Sequence, residues 1–326
     1  MNRPGQFVQT ESLASMHTDK NCNGKSATTS ISMSKIIPLF PEHSSRGNES
    51  SGHVRDLSGP SGMKQAGPLF QLYIGIDYSG AETPKASLKG LRVYMADHDN
   101  PPWEVPPPPS PRKYWTRRGL AQWLAELLAG DSQALVGIDH GFSFPRNYFQ
   151  THRIPLDWPS FLDDFQAHWP TDETYVYVNF VLDGSVGNGA ARLGSPKWRR
   201  LTEKLAGAAK SVFHFDVPGS VAKSTHAGLP WLRYLRSSLG EKVHFWPFDG
   251  WGVPPGRSII AEVYPALWSR GFPREGRTPD QHDAYSIAAW MRQTDLDGRL
   301  LDFFSPDLSL REREIGGIEG WILGTR

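Results

Sequence analysis

The chain has 326 residues, enough for one large or two modest domains, and 38% of them are apolar, so a sizeable core is available. With 35 basic and 34 acidic side chains the formal net charge is +1, which excludes a strong overall field for a polyanion and leaves any nucleic-acid surface to a local patch. The single cysteine, Cys22, excludes an intramolecular disulfide framework and a multi-thiolate zinc site and fits a reducing, cytoplasmic compartment, and no apolar run approaches the roughly 20 residues of a spanning helix, so no membrane partner is expected.

Residues 1–68 are rich in Ser, Asn, Gly, His and Lys, and Ile36-Ile37-Pro38-Leu39-Phe40 is their only compact apolar cluster. Such a segment buries too little surface to offset its ordering entropy, so a disordered tail is expected, with the folded region over 69–326. That region opens with Tyr73-Ile74-Gly75-Ile76-Asp77-Tyr78-Ser79-Gly80, in which an apolar strand over 72–77 ends in a carboxylate followed by small residues. Alternation over 88–97, with Leu91, Val93 and Met95 on one face, predicts a second strand and a hairpin. The proline-rich stretch 101–111 is expected to be an extended excursion outside sheet and helix.

Thr116 is placed to cap a helix that runs to about Ala129, with Leu120, Trp123, Leu124, Leu127 and Leu128 at helical spacing and Gly130 closing it. A strand over 134–139 follows and ends at Asp139, repeating the opening pattern. Strand, hairpin, helix, strand is the start of a mixed α/β domain. Within the long stretch 141–243 the patterning predicts a helix over 161–169, a strand over 174–182 and a flexible Gly-rich loop over 184–189. A helix over 197–209 carries Lys197, Trp198, Arg199, Arg200 and Lys204 on a basic side. That helix, together with Arg112, Lys113, Arg117 and Arg118, is the candidate nucleic-acid surface. Leucines predict a helix over 229–239, short apolar runs predict strands over 243–247 and 258–265, and a last strong helix is expected over 280–293. Beyond Leu301 a peripheral finish is expected.

Asp77, Asp139, Glu262 and Asp283 each stand at the end of an apolar strand or in the first turn of an apolar helix, and Asp280 lies three residues before Asp283 on neighbouring parts of one helical face. Carboxylates gathered in one place repel one another unless a cation neutralises them, and oxygen ligands point to Mg²⁺ or Mn²⁺ rather than zinc. The chemistry such a set supports is two-metal phosphodiester hydrolysis, with His282 as a candidate to position or deprotonate water. Each acid also has a plain structural role open to it: Asp77 and Asp139 as turn caps, Glu262 as partner of an arginine such as Arg257, Asp280 at a helix start.

Ile74-Gly75-Ile76-Asp77-Tyr78-Ser79-Gly80, Val136-Gly137-Ile138-Asp139, Ala261-Glu262-Val263-Tyr264-Pro265 and Asp280-Gln281-His282-Asp283-Ala284 together resemble the DUF429 family of predicted nucleases with a ribonuclease H-like fold. The segments 223–232 and 244–251 are similar to that family as well. The resemblance covers roughly 72–291. It implies an α/β fold in which a mixed five-stranded sheet, its first three strands antiparallel, is flanked by helices, with insertions over about 141–243. It also implies that Asp77, Asp139, Glu262 and Asp283 are the family's site acids. The function expected is a metal-dependent nuclease acting on DNA or RNA. An ATP-binding phosphotransferase of the actin-like or sugar-kinase type, or a non-catalytic nucleic-acid-binding module, are the alternatives.

Overall fold

A computed structural model describes residues 67–108, 113–217 and 219–325. The tail expected over 1–68 falls outside them except for Gly67 and Pro68, as do Cys22 and Arg112. In chain order the elements are β1 (Leu72–Asp77), β2 (Arg92–Asp97), β3 (Trp103–Glu104), α1 (Arg117–Leu128), β4 (Ala134–Asp139), α2 (Arg146–His152), α3 (Trp158–His168), α4 (Val178–Leu182), α5 (Leu201–Leu205), α6 (Ala222–Leu239), β5 (Val243–Trp246), β6 (Ser258–Glu262), α7 (Pro279–Leu296), α8 (Leu300–Phe304) and α9 (Leu310–Glu319).

The strands form one mixed six-stranded sheet in the order β3-β2-β1-β4-β6-β5, with β1–β3 antiparallel and β1, β4, β6 and β5 parallel. The sixth strand comes from within the proline-rich excursion, where Trp103 and Glu104 pair with Met95 and Tyr94. Two residues suffice because this is an edge, where prolines on either side cost no ladder hydrogen bonds.

Alternation along the strands gives the sheet two covered faces. Ile74, Ile76, Val136, Ile138 and Ile260 face α1 and α6, whose Leu120, Leu124, Leu128, Leu232 and Leu235 complete a large core with the aromatics of the insertion. Tyr73, Leu135, Ile259, Ala261 and Val263 face α7, joined by Ile287, Met291 and the C-terminal Trp321 and Leu323. The C-terminal segment is therefore core rather than peripheral: Leu323 donates its amide to the Glu262 carbonyl at 2.9 Å, and Ile322 bridges to Glu262.

Three local expectations give way to other packing. Residues 174–182 form no strand; their second half is the short helix α4, with Val178 and Val181 buried. The helix expected over 197–209 shrinks to α5, because Arg199 and Arg200 turn inward to internal acceptors instead of lining a wet face. The helix expected from 229 starts seven residues earlier, at Ala222, and carries Pro230 within it. Thr116 caps α1 through Gly119 N–H at 2.9 Å, as its position predicts.

Gly75 and Gly137 are register partners on β1 and β4, and α7 lies directly over them. A Cβ on Gly75 would strike the Ala284 carbonyl oxygen and stand 2.7 Å from Ala288 N; one on Gly137 would stand 2.7 Å from Ile287 Cγ2. Helix backbone cannot give way as a flexible side chain can. Gly75→Ala is therefore expected to cost about 2 kcal/mol or more, read as a lower urea midpoint, and a wild-type midpoint would contradict this packing.

Candidate functional site

Two residues beyond the glycines, on the same face of the sheet, β1 and β4 end in Asp77 and Asp139, which are also register partners. Neighbouring strands run about 4.8 Å apart, so the two carboxyl groups start side by side. Helix α7 begins over this point. Thr278 accepts the Gln281 amide and Gln281 returns a bond to the Thr278 amide, a capping box that fixes the first turn carrying Asp280 and Asp283. Gln281 also donates from Nε2 to Glu104 at 2.8 Å, and Glu104 pairs with Arg92 at 2.9 Å, so the edge strand β3 ties the helix start to the sheet.

Asp77, Asp139, Asp280 and Asp283 line one cavity of about 420 Å³. The carboxyl groups of these four make no hydrogen bond or ion pair with any described residue. Burial holds the Asp77 carboxyl well above the usual carboxylate range, with the charges of Asp139, Asp280 and Asp283 adding to it and Arg92 opposing. Asp139 is pushed up to about 8, by burial first and then by Asp283 and Glu262. Asp283 is raised by burial, with His282 counteracting and Asp280 reinforcing. Tyr264, on the same wall, is raised by burial and by the neighbouring Asp139 and Asp283. These acids stand near one another, but among the described residues no three His, Cys, Asp or Glu side chains are drawn into a ready metal cluster.

Glu262 lines the same cavity as the aspartates but is held differently. Its partner across the ladder is Ile138, not Asp139, so it leaves the sheet on the opposite face from the aspartates. There both oxygens are engaged: Arg200 grips Oε1 through Nη2 and Oε2 through Nη1 at 2.7 Å, and Phe142 N–H donates to Oε2 at 3.0 Å. Arg257, the partner suggested by sequence proximity, lies near Glu241 instead. Arg200 also bonds Glu203 at 2.8 Å and the Glu319 carbonyl at 3.2 Å, and Arg200, Glu203, Glu262 and Glu319 are all buried. The Glu319 carboxylate in turn accepts the first amides of α2 and α5, from Arg146 and Leu201, at 2.7 Å each.

The basic residues divide in the same way. Arg200 is internal, and Arg117 is fully buried, donating to the carbonyls of Ser79, Ala81 and Glu82 and so holding the loop that follows Asp77. Arg118 reaches the Asp172 carbonyl and the Thr174 hydroxyl, and Arg199 donates to the carbonyls of Glu203, Gly207 and Ala209. Trp198 is half-buried against Phe213. Of the eight described residues of the expected nucleic-acid surface, Lys113, Lys197 and Lys204 are exposed and the other five are buried or half-buried. His282 does not line the acid cavity; its Nε2 meets the Ser269 carbonyl at 3.0 Å and its Nδ1 is buried without a partner. The Gly-rich loop over 184–189 is mostly exposed, and its last residue, Gly189, is buried, where a Cβ would strike Val181 and Trp169.

Sequence reasoning missed Arg92, Glu104, Glu203, Glu319 and Lys210. Lys210 is exposed, lines the acid cavity and has no ion-pair partner among the described residues. No sequence periodicity marks these residues, because they act from loops and edges. Comparison of the chain with known protein families, with characterised proteins and with solved structures returned no match.

Two outcomes follow from this geometry. Arg200→Met would strand Glu203 and Glu262 as unpaired buried charges, and unfolding free energy is expected to fall by about 3–5 kcal/mol; a loss under about 1 kcal/mol would show that the cluster is not coupled as drawn. The raised acids set the sign of a pH effect. A carboxyl harder to ionise in the folded chain keeps its proton where the unfolded chain has lost it. Stability therefore falls as pH climbs from the ordinary value of about 4 toward the value of about 8 for Asp139. Thermal midpoints should decline across that window and the decline should flatten in Asp139→Asn, whereas midpoints rising across it would refute the assignment.

Proposed function

We propose that this chain is a metal-dependent nuclease that hydrolyses phosphodiester bonds of DNA or RNA, built on a ribonuclease H-like sheet of the kind its resemblance to DUF429 implies. The observation that carries this reading is the set of four aspartates, from two strands and one helix, around a single cavity and without protein partners. An antiparallel β1–β3 followed by a parallel step to β4 supports the fold assignment.

The buried acids nearby are neutralised by protein: Glu203 and Glu262 have Arg200, and Glu319 has two helix amides. The four aspartates have no such arrangement, which is the donor chemistry expected of hard-cation ligands. Asp77, Asp139, Asp280 and Asp283 would hold Mg²⁺ or Mn²⁺, and gathering around an ion requires their carboxyl groups to turn toward it. One or two such ions would supply Lewis-acid stabilisation of phosphoryl oxygens and a more acidic water.

The chain's own residues account for the rest of the site. Arg117 fixes the Ser79–Glu82 backbone so that the loop after Asp77 stays clear of the acids. Arg199 braces the segment ending at Lys210, and Lys210 offers a cation to the substrate's phosphate backbone from the rim. Glu262, with its counter-ion in place, shapes the back wall and leaves ligation to the aspartates.

Asp77→Asn and Asp139→Asn are each expected to reduce Mn²⁺-dependent cleavage of a mixed DNA and RNA panel by about 100-fold or more while retaining the wild-type fold. Folded wild-type protein that binds Mn²⁺ and cuts nothing in the panel would overturn the nuclease reading. Salt-sensitive binding of the panel without cleavage or metal dependence would select a binding module instead.

A further inference from the structure

Behind the acid site, on the α1 and α6 face of the sheet, lies a second, internal cavity of about 10 Å³. Its walls are mostly aliphatic, but four polar side chains also line it: Tyr78, Arg117, His140 and Trp231. All four are more than nine-tenths buried. The Tyr78 hydroxyl, Arg117 Nε and Trp231 Nε1 are shut off from solvent and have no hydrogen-bond partner. His140 uses Nδ1 on the Gly141 carbonyl at 2.9 Å and makes no bond from Nε2. Leaving three or four such groups unpaired around one space would cost several times what a single lost hydrogen bond costs, and native cores avoid this.

The chemistry of the four groups identifies the guest. Arg117 Nε–H and Trp231 Nε1–H can only donate. A His140 ring that gives its Nδ1 proton to Gly141 presents a bare Nε2, which can only accept, and the Tyr78 hydroxyl does either. None of these groups pairs with another. A molecule with two protons and two lone pairs can serve both donors and the acceptor, and the space matches the smallest volume that holds one water, about 10–15 Å³.

We propose that this cavity is a built hydration site for a single water molecule, which accepts from Arg117 and Trp231, donates to His140 and completes its shell at Tyr78. The site does not depend on the nuclease reading, yet its position bears on the acids. Tyr78 and His140 are the residues directly after Asp77 and Asp139, their rings meet edge to face at 4.6 Å, and both also border the acid cavity. The water thus ties the two acid-bearing strand ends to α1 through Arg117 and to α6 through Trp231.

A crystal structure of the full chain at a resolution that shows ordered solvent provides one test. One water peak within about 3.2 Å of at least three of the four atoms is expected. A cavity without a peak, or the four groups paired directly with one another, would overturn the proposal. In solution, the Trp231 indole proton, assigned by its disappearance in Trp231→Phe, should show a cross-peak to a long-lived water. A folded protein in which that indole proton has no such cross-peak would overturn it as well.

Discussion

Helix α7 can lie on β1 and β4 because Gly75 and Gly137 leave its backbone room, and the acid site follows from that approach. A helix held at such short range brings its first turn over the strand ends, and the capping box at Thr278 decides which residues that turn presents. Asp280 and Asp283 then face Asp77 and Asp139. The cost is electrostatic: four acids share one partly buried space, where burial and the neighbouring charges make Asp77, Asp139 and Asp283 hold their protons more tightly. Tight apolar packing on one side of the glycines is what keeps like charges together on the other.

The second face of the sheet solves the opposite problem. A shift of one residue in the ladder turns Glu262, on the wall of the same cavity, into contact with Arg200, which joins it to Glu203 and to the C-terminal turn. A buried charge without a partner is severely penalised, so this cluster is closed. The contrast within one cavity separates acids whose charge the fold has neutralised from acids whose charge it has left open. That division, more than the number of carboxylates, argues for a cation at the aspartates and against one at Glu262.

Much of this was legible in the chain where structure is local. Apolar runs ending in acid at Asp77 and Asp139, the Thr116 cap of α1, and the helix bearing Asp280 and Asp283 follow from period and capping alone. What period could not supply was the destination of long side chains. Arg117, Arg199 and Arg200 look like a solvated basic stripe in sequence, yet each spends its guanidinium on backbone carbonyls or carboxylates far along the chain. Strand parity across β4 and β6 was equally hidden, because register depends on where β6 docks and not on its own alternation. The two-residue β3 escaped because prolines around Trp103 argue correctly against an internal strand and say little about an edge.

Diffraction from Mn²⁺-soaked crystals, collected at the manganese absorption edge, bears most directly on the claim that the unpartnered aspartates form a cation site. The account predicts anomalous density in the acid cavity, contacted by Asp77 and Asp139 and by at least one of Asp280 and Asp283, with Glu262 still held by Arg200. Density absent from that cavity at saturating Mn²⁺, or seated on Glu262 with Arg200 displaced, would contradict it.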